Sequence, residues 1–176
     1  MSTATAADWR DQIFETLEAH EIKQVYYVPD AGHSKLIEKC QTSNAMRAIV
    51  MTTEEEAMGG ALGAWLGGEK SVALMQSSGV GNCINMLGLS KTLRYPMLMI
   101  VTMRGDYGEF NPWQYSMGQA TPKVLEAVGC IVMSVDRAED VAATVNAAAN
   151  MAFEGQQAVA VLLRQKLIGA KSFGKK

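Results

Sequence analysis

Apolar side chains recur along this chain in short continuous runs bounded by polar or glycine-containing segments, and the intervals between them carry helical spacing. Residues Ala7 to Ala19 place Trp9, Ile13 and Leu17 four residues apart with Asp8, Arg10, Asp11 and Glu15 elsewhere, which predicts an amphipathic helix. The run Val25 to Val28 predicts a strand ending at Pro29-Asp30-Ala31-Gly32, a loop signal, with a short helix around Ser34 to Lys39 after it. Further strands are predicted over Arg47 to Met51, Ser71 to Gln76, Met97 to Thr102, Cys130 to Val135 and Ala158 to Leu163, with helices over most of the intervals. Several runs are apolar throughout, as strands covered on both faces should be. A strand, helix, strand rhythm repeated every ~20 to 30 residues is what right-handed parallel crossovers require. The expected fold is therefore α/β: a doubly wound, mostly parallel six-stranded sheet with helices on both faces. Ligands of such sheets meet the loops at the carboxyl ends of the strands. Those segments here are Pro29 to Ser34, Thr52 to Glu56, Ser77 to Asn82 and Arg104 to Gln119.

Composition narrows the function classes. With 176 residues, 48% hydrophobic and 19% charged, the chain can bury one sizeable core, so residues 1–176 are read as one domain. A formal charge of −2 leaves no basic excess for a phosphate backbone, which argues against a nucleic-acid partner. Apolar runs such as Met97 to Met103 fall far short of the ~18 residues that span a bilayer, so no membrane partner is expected. The start MSTATAADWRDQ lacks a basic segment followed by an apolar one, so no signal peptide is expected and the cytoplasm is the default location. Cys40, Cys83 and Cys130 form no CxxC pair and are odd in number, against a disulfide framework or structural zinc. Twelve methionines lie mostly inside apolar runs and fit core filling. The tail Gly169 to Lys176 is basic and glycine-containing and is expected to fray.

Four stretches carry candidate chemistry. Glu54, Glu55 and Glu56 open a helix whose next positions include Ala57, Gly59, Gly60, Ala61 and Gly63. Acids at a helix start complement its dipole by about 0.3–1 kcal/mol each, and small residues allow close approach by a neighbour. The three carboxylates point about 100° apart around the axis, so they cannot all face one ligand. The segment Ser77 to Asn85 contains Gly79-Val80-Gly81 and reads as a tight turn leading into a helix with Ile84 and Leu87. It is neither a dinucleotide fingerprint, which needs glycine where Ile84 stands, nor a P-loop, which needs Gly-Lys-Ser/Thr. His33, with Asp30 and Ser34 beside it, follows the first strand; a lone loop histidine serves either as a helix-cap neighbour or in proton transfer. His20, ending the first helix, suits the dipole there. The stretch Arg104 to Gly129 is too long and mixed for a simple turn.

Together these stretches resemble the pyrimidine-binding domain of thiamine-diphosphate enzymes, and within that family the small subunit of sulfopyruvate decarboxylase and the matching half of phosphonopyruvate decarboxylase. The likeness covers most of residues 8–165. It rests on Glu54, Ala57, Ala61 and Gly63, on Gly79, Gly81 and Asn85 with Val80 where the family carries proline, and on Arg104-Gly105, Pro112-Trp113-Gln114 and Met117-Gly118. The resemblance implies that Glu54 hydrogen-bonds a ring nitrogen of the coenzyme's aminopyrimidine and favours the imino tautomer that deprotonates the thiazolium carbon. It implies further that Gly79, Val80, Gly81, Asn82, Asn85 and Gln114 line the coenzyme, that Asp30 and His33 manage protons, and that His33, Ser34 and Arg104 hold substrate, the arginine by a forked contact to an anion.

The family's diphosphate site uses Gly-Asp-Gly and a later asparagine around magnesium, and this chain lacks the pair: after Gly105-Asp106 glycine returns only at position 108, and Asn111 comes too soon. The resemblance thus implies that thiamine diphosphate lies across an interface, with Mg²⁺ and diphosphate held by a separate beta subunit, in a hetero-oligomer built on dimers. The implied reaction is decarboxylation of a small anionic 2-oxo acid: sulfopyruvate first, phosphonopyruvate or another second. A catalytically silent binding or regulatory module of the same fold is the alternative of another class. This chain itself is expected to hold no metal.

Overall fold

In a computed structural model, residues 8–170 are described. The chain runs α1 (Trp9–Ala19), β1 (Ile22–Tyr27), α2 (Ser34–Thr42), β2 (Arg47–Val50), α3 (Glu54–Leu66), β3 (Lys70–Gln76), α4 (Ser77–Leu93), β4 (Met97–Thr102), α5 (Trp113–Ala127), β5 (Ile131–Val135), a 3₁₀ turn (Ala138–Asp140), α6 (Val141–Phe153), β6 (Ala158–Leu163) and α7 (Gln165–Ile168). The six strands form one sheet in the order β2-β1-β3-β4-β6-β5, and every pairing is parallel. All six predicted strands are found, although β1 begins three residues before Val25 and ends before Val28, and the sheet is wholly rather than mostly parallel. No helix among the described residues is long and apolar enough to cross a membrane. Most of the tail read as frayed, residues 171–176, lies outside the described residues.

Period-2 alternation divides the strand side chains between two cores. Val25, Val72, Leu74, Leu98, Ile100, Val159 and Val161 pack with residues of α1, α2 and α6 on one face. On the other, Tyr26, Ala73, Met75, Met97, Met99, Val101 and Leu162 pack with α3, α4 and α5. Methionine is thus spent on core packing, mostly beneath α3–α5. The three cysteines are buried, and burial raises the thiols of Cys40 and Cys83 to about 12 and that of Cys130 to about 11, which leaves them unreactive.

The strand order places two crevices at the carboxyl edge. After β1 the chain turns outward to β2, whereas after β3 it runs the other way to β4, so the loops following β1 and β3 diverge at a switch point. A second divergence separates the loops after β4 and β6. Two segments depart from the expected loops. Ser77–Asn82 is the first turn of α4 rather than a glycine turn, and residues from Trp113 onward form α5, with Pro122 inside it. Gly118 explains the course of α5: a Cβ there would overlap the Arg104 carbonyl, so only glycine lets the helix lie directly on the strand exit.

Candidate active site

Glu54 opens α3 at the carboxyl edge of β2, and Thr53, the N-cap, accepts a hydrogen bond from Glu55 N at 3.3 Å. Glu56 turns back to accept from Thr52 N at 2.7 Å, so it serves the cap, while Glu55 is exposed. Only Glu54 leans toward α4. Its Oε2 accepts from Asn82 Nδ2 at 3.0 Å. Its Oε1 lies over the bare Cα of Gly79, where any Cβ would overlap the carboxylate. The glycine is therefore required by the acid itself: α3 and α4 start side by side, and this is where their first turns touch.

Beyond Asn82 opens a cleft of about 720 Å³ lined by Ser78, Gly81, Asn82, Asn111, Pro112, Trp113, Ser116 and Met117. Met117 Sδ lies 3.3 Å from where a Cβ on Gly81 would stand. Trp113, 81% exposed, forms its lip. Asn85 is exposed one turn along α4 from Asn82. Val80, by contrast, is fully buried in the core, so its side chain cannot line a ligand. Gln114 lies in the first turn of α5 with its amide oxygen buried and unpartnered, and it does not line the cleft.

The residues after β1 turn inward. His33 is 0% exposed; its Nε2 bonds the Ile100 carbonyl at 3.0 Å and its Nδ1 has no partner. Burial pushes its pKa down despite the neighbouring Asp30. A ring sealed beneath β4 is not placed to carry protons to a substrate or to hold one, which corrects the expectation for His33. Ser34 is exposed and donates to Ala31 O at 3.0 Å, a local turn contact. Asp30 is largely buried at the β1/β3 switch point, accepting from Gln76 Nε2 at 2.8 Å, Thr102 Oγ1 at 2.6 Å and Gly32 N at 3.0 Å. Burial raises its pKa, but the hydrogen bonds from Thr102, Gln76 and Gly32 with the nearby His33 ring prevail, and it is lowered overall.

Arg104 does not offer a free fork. Its Nε and Nη2 bond Glu109 Oε2 and Oε1 at 2.5 and 2.7 Å, a bidentate pair whose side chains are 13% and 1% exposed. Glu109 also accepts from Phe110 N, Asn111 N and Gln165 Nε2 at 3.1, 3.0 and 2.9 Å. Arg104 chiefly, with those amides, pulls its pKa down to about 2. Gln165 in turn accepts from Asp106 N and Tyr107 N at 3.3 and 3.2 Å, so this hub closes the second crevice and fixes the loop that carries Asn111 and Trp113. The forked contact expected for an anion is made within the chain.

Glu109 and Gln165 stand 56 residues apart, so no local motif in the sequence pairs them. Ser78, Gln76 and Thr102 do carry a local signal: each is a polar residue at the carboxyl end of a mostly apolar strand or just beyond it.

Residues 7–123 match the family model described as thiamine pyrophosphate enzyme, N-terminal TPP binding domain. The chain belongs to that family. It is 32% identical over 154 residues to the sulfopyruvate decarboxylase subunit alpha of Methanococcus maripaludis, covering 87% of this chain and 92% of the relative. With the same subunit of Methanocaldococcus jannaschii it shares 38% over 115 residues, 65% of this chain and 68% of the relative. The phosphonopyruvate decarboxylase of Streptomyces viridochromogenes is 39% identical over 101 residues, which is 56% of this chain but 25% of that longer protein. Among solved structures, a 2-oxoglutarate:ferredoxin oxidoreductase from Magnetococcus marinus superposes with a TM-score of 0.75 at 17% identity, covering 92% of this chain and 29% of that one. That likeness bears on the fold alone. Glu54 and the cleft lie at the carboxyl ends of the strands, the edge at which open parallel sheets take their ligands.

Proposed function

We propose that this chain is the pyrimidine-binding subunit of a two-subunit, thiamine-diphosphate-dependent 2-oxo acid decarboxylase, acting on sulfopyruvate to give sulfoacetaldehyde and carbon dioxide. Phosphonopyruvate is the second candidate substrate. The observation that carries the reading is the Glu54 carboxylate, with one oxygen tied to Asn82 and the other set over Gly79. The residues fit the coenzyme. A half-buried carboxylate with one oxygen uncommitted, beside a backbone stripped of Cβ, suits the edge of a flat ring carrying a protonatable nitrogen.

When bound, thiamine diphosphate supplies a nucleophilic carbon and an electron sink for the charge left as carbon dioxide departs. This chain's part is positional and protonic. Glu54 shares a proton with the ring nitrogen, and Asn82 holds the carboxylate at a fixed rotation. The walls of the cleft, Met117 and Trp113, exclude water from the reacting side. Diphosphate and Mg²⁺ fall to a separate partner subunit, because this sequence lacks the Gly-Asp-Gly and asparagine pair. The partner also supplies anion recognition, since Arg104 is engaged by Glu109.

Coexpression with the neighbouring gene product, followed by a carbon dioxide assay over a panel of 2-oxo acids with thiamine diphosphate and Mg²⁺, tests the reading. Sulfopyruvate is expected to give the highest kcat/KM, and Glu54→Gln to lower it by about 10²–10⁴. Turnover by the isolated chain, or activity indifferent to Glu54→Gln, would overturn it. A complex that binds the coenzyme but turns over nothing would favour the silent module.

A further inference from the structure

A chain of hydrogen bonds runs from the cleft to the buried switch point. Ser78 Oγ donates to Gln76 Oε1 at 2.9 Å, and Gln76 Nε2 donates to Asp30 Oδ1 at 2.8 Å. The other Asp30 oxygen accepts from Thr102 Oγ1 at 2.6 Å and from Gly32 N at 3.0 Å. The direction of this chain is forced. An ionised carboxylate can only accept, so Gln76 must give Asp30 its amide nitrogen and turn its carbonyl toward Ser78. Ser78 has one proton, and the carbonyl takes it. What remains on Ser78 for the cleft is a pair of acceptor sites.

We propose that Ser78 is a specificity-determining acceptor, its polarity set from inside the sheet by Asp30 through Gln76, and that it receives an N–H from the amino group of the bound aminopyrimidine. The inference rests on the coenzyme reading given above. Ionised 2-oxo acids bring only acceptor oxygens to the cleft, which a serine of this polarity repels. The exocyclic amine of the pyrimidine is the donor this site would take. Asp30 is then a positioning residue: it touches neither coenzyme nor substrate and acts by fixing which way the relay points.

The test measures binding rather than turnover. Dissociation constants are determined by calorimetry for thiamine diphosphate and for oxythiamine diphosphate, in which a carbonyl oxygen replaces the amino group, on the chain assembled with its partner and Mg²⁺. Ser78→Ala is expected to weaken thiamine diphosphate roughly tenfold and to leave the oxo analogue within about twofold, as loss of one acceptor predicts. In Asp30→Asn the new amide can donate to the Gln76 carbonyl, turning the Gln76 nitrogen to Ser78 and freeing the serine proton for the cleft. The preference for thiamine diphosphate over the analogue should then shrink by about tenfold. If Asp30→Asn fails to fold, Gln76→Met supplies the second arm, because it frees the Ser78 hydroxyl to rotate and should lower the same preference. An unchanged ratio in Ser78→Ala and in the relay variant, or equal weakening of both ligands, would sink the inference while leaving the coenzyme reading intact. Failure of the unaltered complex to bind thiamine diphosphate would remove both.

Discussion

Two glutamates stand at the same edge of the sheet, and their surroundings are opposite. Glu109 accepts five hydrogen bonds, including both arms of the Arg104 fork, and its side chain is sealed from solvent. Glu54 accepts one, from Asn82, and its second oxygen faces a glycine beside an open cleft. A buried carboxylate is tolerated only when its lone pairs are filled, so Glu109 is a finished anchor. Glu54 keeps that capacity unfilled beside the cleft, which is what the proposed contact with a ring nitrogen requires of it. The comparison also explains why Arg104, a plausible anion clamp in sequence, belongs to the anchor.

The contrast can be broken in several ways. The largest expected effect is on chemistry: Glu54→Gln should lower kcat/KM of the assembled enzyme by about 10²–10⁴, the range for a lost proton-transfer group, with a urea midpoint nearly unchanged. A substantial loss of stability there would make Glu54 a second anchor. Glu109→Ala should do the reverse, costing about 3–5 kcal/mol of unfolding free energy because Arg104 is left buried without its partner. Denaturant melts of the two variants side by side give the readout.

The pH dependence separates them further. Glu109 has its folded pKa depressed from an ordinary 4.5 to about 2, so its contribution is fully present above 4.5 and is lost as the pH falls toward 2. A shift of that size corresponds to about 3 kcal/mol, and the acid-limb slope should flatten in Glu109→Gln. His33 acts in a higher window. Its folded pKa is lowered below 6.5 by burial, so the unfolded chain takes up a proton first and stability falls as the pH drops below 6.5. Replacing His33 by Gln should remove that component and leave the Glu109 limb in place. The smallest expected effect is that of Gly79→Ala, which must push the Glu54 carboxylate aside. A cost of about 1–3 kcal/mol is expected, with coenzyme affinity falling alongside, whereas Gly59→Ala, where a Cβ meets nothing, should be close to neutral.

The strands were legible because each is a continuous apolar run with punctuation at its ends, and burial on both faces demands that composition. Glu54 was legible because it stands between such a run and a train of small residues. The first turn of α4 was not. Gly79 and Gly81 look like a turn in sequence, but Gly79 is glycine because the Glu54 carboxylate lies against the helix, while Gly81 only leaves room for the Met117 side chain. Nor was the fate of the polar residues after β1 and β4, since His33 and Arg104 have the same local signature whether they face a ligand or the interior.

What the linear order of residues determined by itself is the alternation of elements, hence a parallel sheet with its chemistry at one edge, because periodicity of burial is a local property of the chain. Tertiary structure alone decided which polar groups were already satisfied. Arg104 meets Glu109, Glu109 meets Gln165, and Ser78 reaches Asp30 through Gln76, contacts that bridge 2 to 56 residues along the chain. A hydrogen bond's partner is set by distance in space, and only the folded sheet brings those ends within 3 Å or so of one another.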